Sequence, residues 1–198
     1  MEKIGEGWQY AVYDMRNGRV LKKFHSLPMA YWVIGKDVFA SSDHQLASVP
    51  SFVRSMKEKA RESFAALKRC SVPDELIGNP HFLNGLDYEQ DKVTPLGGLL
   101  SSASIRDQKG QIDRFIDFCK VLYGYGLIDK SFNITKNFGV MGQAVILTDI
   151  GELFDDKEII ERQIIKRAWT KAYVTDGISD AEVRAYFIAQ MDKTFLSK

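Results

Sequence analysis

A chain of 198 residues is long enough for one substantial core or for two small lobes. Its 45% apolar and 27% charged residues are ordinary globular composition, and a formal net charge of +1 supplies no global field to recruit nucleic acid or an anionic membrane. No segment approaches the ~20 apolar residues that span a bilayer, no apolar run at the start marks a signal peptide, and Cys70 and Cys119 lack a CxxC context, so the expectation is a cytoplasmic protein with a buried thiol at Cys119.

Residues 3–24 read as a hairpin. Trp8–Tyr13 and Arg19–Phe24 are rich in β-branched and aromatic residues, and Asn17-Gly18 between them is a strong hairpin signal. Residues 27–49 stay ambiguous, because Gly35 and the Ser41-Ser42-Asp43 cluster interrupt the pattern. From Ser51 to Leu67, the residues Phe52, Met56, Ala60, Phe64 and Leu67 recur at helical steps, with Pro50 and Ser51 suited to the start and Pro73 to a stop beyond. Turn signals at Gly78–Pro80, Asn84-Gly85 and Gln90-Asp91 bracket short strands at Pro80–Leu83 and Lys92–Leu96, and Gly97-Gly98 reads as a flexible joint.

A second helix over Gln111–Tyr123 buries Ile112, Phe115, Ile116, Cys119 and Leu122, and is capped by Gly124 and Gly126. Phe138–Val140 and Ala144–Leu147 pair around Met141-Gly142-Gln143. Helices return near Lys157–Tyr173 and Ser179–Phe195, the last opened by a capping box of Ser179 with Glu182. Strands gather early and helices late, so the class is α+β, with a β-rich segment 1–97 and a mostly helical segment 98–198.

Several residues can carry chemistry. Gly5 and Gly7 open the first hairpin, where they serve either as a simple bend or as a place where backbone N–H groups approach a phosphate. Strand alternation puts Val20 and Lys22 on one face and Leu21 and Lys23 on the other; the plain alternative is a solvated lysine pair. Asn137 and Asp149 lie 149 − 137 = 12 positions apart, at the two open ends of the second hairpin. Pairing of its strands brings both side chains to one end, where a hard cation finds two oxygen ligands in addition to phosphate and water. The plain alternative for Asp149 is an acid that starts a turn, and for Asp129, after Gly126, one that satisfies turn N–H groups. His25, His44 and His81 have no metal-ligand spacing and suit surface or loop positions; Trp8, Trp32 and Trp169 suit core or cleft-edge positions.

The run Ile4-Gly5-Glu6-Gly7-Trp8-Gln9-Tyr10-Ala11-Val12, then Val20-Leu21-Lys22, then Asp129, Asn137 and Asp149-Ile150-Gly151 resembles the protein kinase-like superfamily. The resemblance spans roughly residues 3–151, with no match from 27 to 77. It implies a two-lobed kinase-like fold with a small β-rich N-lobe and a reduced, mostly helical C-lobe, of a minimal bacterial type. It implies ATP and Mg²⁺ as cofactors, with Val12 and Val20 covering the base, Gly5 and Gly7 over the phosphates, and Lys22 (Lys23 as the alternate) on the α- and β-phosphates. Glu62, or Glu58, would pair with that lysine. Asn137 and Asp149 would hold the metal, and Asp129 would orient the acceptor hydroxyl. The implied activity is phosphoryl transfer to a small molecule or to the chain itself; a pseudokinase, binding nucleotide or a protein partner without turnover, is the alternative. Two departures stand out. His-Arg-Asp is replaced by Leu127-Ile128-Asp129, and Asp129 precedes Asn137 by 137 − 129 = 8 positions, where the family has about five. Asn133 lies nearer the usual spacing but is no base. No Ala-Pro-Glu segment follows Gly151.

Overall fold

A computed structural model describes residues 1–40, 46–130 and 132–197; His44 and the Ser41-Ser42-Asp43 cluster lie outside the described residues. The protein is of mixed α+β class, and its contacts gather in two units, residues 1–62 with 79–92 and residues 63–78 with 93–198.

The first unit is built on an antiparallel sheet of β1 (Glu2–Glu6), β2 (Tyr10–Asp14), β3 (Arg19–Phe24), β4 (His81–Phe82) and β5 (Tyr88–Asp91), in the order β1-β2-β3-β5-β4. The Asn17-Gly18 turn joins β2 to β3. Gly18 has φ +81°, a region that penalises a Cβ, and Asn17 Oδ1 accepts the Arg19 N–H at 3.1 Å. The expected hairpin gains a third strand in β1, which its charges and glycine had hidden, and the register slips between Lys3 and Gly5. Gln90-Asp91 ends a strand instead of making a turn. Gln90 is buried opposite Val20, and Asp91 Oδ1 accepts from Arg19 Nη1 at 2.9 Å, which outweighs their weak strand preference.

The ambiguous segment is largely helical: α1 spans Leu27–Ala40. Ala30, Val33, Ile34 and Val38 form its buried stripe, but Leu27, Met29, Tyr31, Trp32 and Phe39 are exposed, so apolar residues run all round and blur the helical period. Trp32 is 69% exposed, contrary to the core or cleft-edge expectation. The next helix, α2, covers Val49–Arg69 and contains the predicted helix, and the division between the units falls within it. Ile34 and Val38 of α1 share an apolar cluster with Val53 and Met56 of α2, against which Trp8, Phe24 and Phe52 pack. Trp8 Nε1 also donates to Asp37 Oδ2 at 3.0 Å.

The second unit holds β6 (Thr94–Pro95), α3 (Leu96–Ser102), α4 (Ile105–Gly124), β7 (Ile128–Asp129), β8 (Phe138–Met141), β9 (Ala144–Leu147), β10 (Leu153–Phe154), α5 (Lys157–Ile165), α6 (Ala172–Thr175) and α7 (Ala181–Phe195). Gly97-Gly98 is helical rather than a joint. A Cβ at Gly97 would stand 2.5 Å from the Thr135 carbonyl oxygen, so close approach accounts for that glycine. The α4 helix starts earlier than its apolar stripe indicates, because Ser104 caps it by accepting the Asp107 N–H at 3.2 Å. The predicted helix 157–173 breaks after Ile165. Arg167 sits at φ 50°, with its guanidinium on Asp192, and Trp169 Nε1 donates to the same carboxylate at 3.0 Å. The cap of the last helix is Asp180, not Ser179: Asp180 Oδ1 accepts from the N–H groups of Glu182 (2.8 Å) and Val183 (3.0 Å).

The core of this unit is aromatic. Phe115 and Phe138 meet edge to face at 4.8 Å, and Phe132, Trp169 and Phe195 form a second cluster with centroids 5.5–6.0 Å apart. Cys119 is buried as expected. Its burial, and then the negative charge of Asp129, push its thiol well above the usual range, so it is inert as a nucleophile. Among the described residues, no helix is long and apolar enough to cross a membrane.

Candidate functional site

The β8–β9 hairpin forms where the sequence places it. Met141 pairs with Ala144, so the turn is Gly142-Gln143, with Gly142 at φ +61°. Phe138 and Leu147, both buried, pair near the open end. Just beyond them the Asn137 carbonyl accepts the N–H groups of Thr148 (2.7 Å) and Asp149 (3.2 Å). Two residues twelve positions apart in the chain therefore meet through one backbone oxygen. Asp149 Oδ1 accepts the Gly151 N–H at 3.0 Å, the turn that the Asp-Ile-Gly segment foreshadows.

Asp129 ends β7 directly beneath this junction in the hydrogen-bond network. Its carboxylate is 1% exposed; Oδ1 accepts from Asn137 Nδ2 at 2.7 Å and Oδ2 from the Asn133 N–H at 3.0 Å. Because the Asn137 NH₂ group is committed to Asp129, the amide oxygen is turned to the other side. Among the described residues, neither Asn137 Oδ1 nor Asp149 Oδ2 has a hydrogen-bond partner in the protein. One half-buried amide oxygen and one half-buried carboxylate oxygen are thus left open at the foot of the hairpin.

Packing shapes the stretch from Asp129 to Asn137. Phe132 enters the aromatic cluster of Trp169 and Phe195 and does so at φ 54°, a costly conformation for a bulky residue. Asn133, which is no base, is buried and organises the loop. Its carbonyl accepts the Asn137 N–H at 3.0 Å, and its side-chain oxygen accepts from Thr135 Oγ1 at 3.1 Å. Thr135 in turn lies against Gly97 and Gly177: a Cβ at Gly177 would stand 2.5 Å from its Oγ1. Ser63, which no motif in the sequence marks, is buried, and its Oγ accepts the Leu153 N–H at 2.9 Å.

In the first unit, Val12 pairs directly with Lys22, and Lys22 with Tyr88. Directly paired residues share a face, so Val12, Val20 and Lys22 lie together, as the alternation predicts, with Tyr88 and Gln90 beside them. Lys22 is only 8% exposed, and its Nζ stands 5.5 Å from the Tyr88 ring centroid. Lys23 is exposed on the opposite face. Gly5 pairs with Val12, and a Cβ there would make ordinary contact at 3.6 Å; at Gly7 a Cβ would meet nothing within 4 Å. Neither has a positive φ, so the fold itself demands glycine at neither position. His25 is buried in the loop after β3, not at the surface, and its Nε2 bonds the Gly7 carbonyl at 3.0 Å; His81 is exposed on β4.

Glu62 is not the ion-pair partner of Lys22 that the resemblance implies. It is exposed on α2 and, among the described residues, takes part in no ion pair, with Lys22 or any other cation; Glu58 is exposed likewise. Both glutamates stand two positions from Ala60, the fully buried centre of the helix, and that spacing turns them about 200° away from it.

Among the described residues there is no cluster of three or more His, Cys, Asp or Glu side chains able to hold a metal alone. The Asn137 amide oxygen and the Asp149 carboxylate oxygen are each hard donors of the kind Mg²⁺ takes when phosphate and water supply the remaining ligands. No protein-family model matches the chain, and no match to a curated protein is found.

Proposed function

We propose that this chain is a kinase-like protein that binds Mg·ATP and transfers the γ-phosphoryl group to a hydroxyl acceptor, a small molecule or the chain itself. The observation that carries the reading is the meeting of Asn137 and Asp149 at the open end of β8–β9, each with one unpartnered oxygen. The element order supports the same reading: three strands, two helices, three short strands, two helices, one short strand, then a hairpin followed by Asp-Ile-Gly. That is the succession expected of a small N-lobe followed by a reduced helical C-lobe. Lys22 shares a face of the first sheet with Val12 and Val20, which is what this reading asks of a lysine that anchors phosphates beside an apolar base cover.

When bound, Mg²⁺ would neutralise charge on the β- and γ-phosphates. Asn137 Oδ1 and Asp149 Oδ2 would hold it, and the bond to Asp129 would keep the Asn137 amide from rotating its NH₂ toward the cation. Phosphoryl transfer needs positioning more than covalent help, so a buried Asp129 slows it without abolishing it.

The burial of Asp129 also favours a second reading, a pseudokinase. A positioned general base contributes ~10²–10⁴-fold, and a carboxylate 1% exposed with both oxygens engaged does not reach an acceptor hydroxyl. One experiment covers both. Thermal unfolding is followed with Mg²⁺, ATP and both, alongside transfer of γ-labelled phosphate to the chain and to an alcohol panel. Ligand at 100 times Kd adds ~2.7 kcal/mol of stability. A Mg²⁺-dependent shift that Asn137→Ala and Asp149→Ala each abolish supports the site; label transfer then selects the enzyme, and its absence the pseudokinase. No shift at millimolar Mg·ATP ends the proposal.

A further inference from the structure

The first unit has a cavity of about 290 Å³ between the end of β3, one side of α2 and the turn joining β4 to β5. Lys57 and Arg61 line it from α2. They are one helical turn apart, so their charges share a face, and both are exposed. Among the described residues neither makes a hydrogen bond or an ion pair. Two like charges held side by side without a counterion repel each other, and an anion between them relieves that repulsion.

The opposite wall is the turn Asn84–Asp87. The Leu83 N–H closes it on the Asp87 carbonyl at 2.9 Å, with Gly85 at φ +77°. Among the described residues, the N–H groups of Asn84, Gly85 and Leu86 have no acceptor. Such a run of unengaged amides in a turn is a known form of anion cradle. Asp87 is the carboxylate on this wall, and its Oδ1 is occupied by the Phe24 N–H at 2.8 Å. Formal charge on the lining is therefore two positive and one negative. Phe24 and Leu86 supply an apolar side to the space.

We propose that this cavity binds a phosphoryl group, as free phosphate or as a phosphomonoester, between the Lys57 and Arg61 side chains and the amides of the Asn84–Leu86 turn. A dianion with three exposed oxygens satisfies two cations and the turn at once; a carboxylate brings one charge and two oxygens. The apolar wall adds affinity for an organic substituent on the ester.

The test is an NMR titration of the full chain at constant ionic strength with inorganic phosphate, phenyl phosphate and acetate. Saturable amide shifts at 84–86 with both phosphates, and none with acetate, are the expected result. Tighter binding of phenyl phosphate assigns the ester; equal affinity assigns free phosphate. Losing two charge-assisted contacts in the Lys57→Ala/Arg61→Ala double variant weakens binding at least roughly tenfold, with an unchanged unfolding midpoint. Asp87→Asn strengthens it, an effect a merely structural role would not produce. Lys22→Met, which removes nucleotide binding under the proposed function, leaves this titration unchanged, so the two proposals fail separately. Shifts that stay linear to high concentration, that acetate reproduces, or that survive the double variant overturn the assignment.

Discussion

Replacing Asp129 by alanine removes the acceptor of two donors at once, the Asn137 amide and the Asn133 N–H. Asn133 is buried, so its N–H has no ready substitute; Asn137 is half-buried, and water can reach part of its amide. A hydrogen bond to a charged group contributes about 1.5–3 kcal/mol, and an orphaned buried donor costs about 1–3 kcal/mol. Counting the Asn133 bond in full and the Asn137 bond in part gives a loss of ~2–4 kcal/mol, a large share of the ~5–15 kcal/mol that holds a domain folded. Urea unfolding of wild type and variant measures it, as a lower midpoint at unchanged slope. The double variant with Asn137→Ala completes a cycle whose coupling is at least ~0.5 kcal/mol if the two side chains act as a unit. A single-variant loss below ~1 kcal/mol would show that the network does not hold the loop, and the orientation argument for Asn137 would fall with it.

Three further outcomes follow from the same physics. Asp180→Ala costs ~1 kcal/mol in urea unfolding because it uncaps α7, whereas Ser179→Ala leaves stability near wild type; the reverse order would restore the sequence-based cap. Gly97→Ala costs at least ~1–3 kcal/mol, since the new Cβ meets a backbone carbonyl at 2.5 Å, and Gly177→Ala costs less, because the clash is with a threonine side chain that can turn; equal losses would refute the ranking. The Arg69 guanidinium, bonded to Asp155 at 2.7 Å, holds that carboxyl below its usual range, so its stabilisation is present above the unfolded value of about 3.9 and is lost as pH falls through the lower folded value. Arg69→Ala should therefore raise the Asp155 midpoint in a carboxyl NMR titration and cost under ~1 kcal/mol at neutral pH, an increment that vanishes in strong acid.

The parts of the fold that were legible in the sequence are those with one clear period or one turn signal. The Asn17-Gly18 and Gly142-Gln143 hairpins and the stripes of α2 and α4 fall in this group. The α1 helix was hidden because five large apolar residues lie on its exposed side and cancel the periodicity. β1 was hidden because its pairing comes from β2, not from its own composition. At the foot of this second hairpin, spacing alone was enough to bring the backbones of Asn137 and Asp149 to one end, since strand pairing fixes which segments run side by side. It could not reveal that Asp129 is enclosed or that Asn133 and Phe132 shape the loop, because those follow from contacts with Tyr173, Trp169 and Phe195, far along the chain. Glu62 failed for the complementary reason: helical phase told against it, and the structure agrees with the phase.

The position of Thr135, flanked by Gly97 and Gly177, makes the segment between Asp129 and Asn137 a late-forming part of the molecule. Residues about forty positions away on either side must arrive before that segment has a defined shape, and closing such distant contacts is slow. A nascent chain that has not yet produced Gly177 therefore lacks one side of the Thr135 seat, and exchange protection of the Asn133 and Asn137 amides should emerge only after that residue has been made.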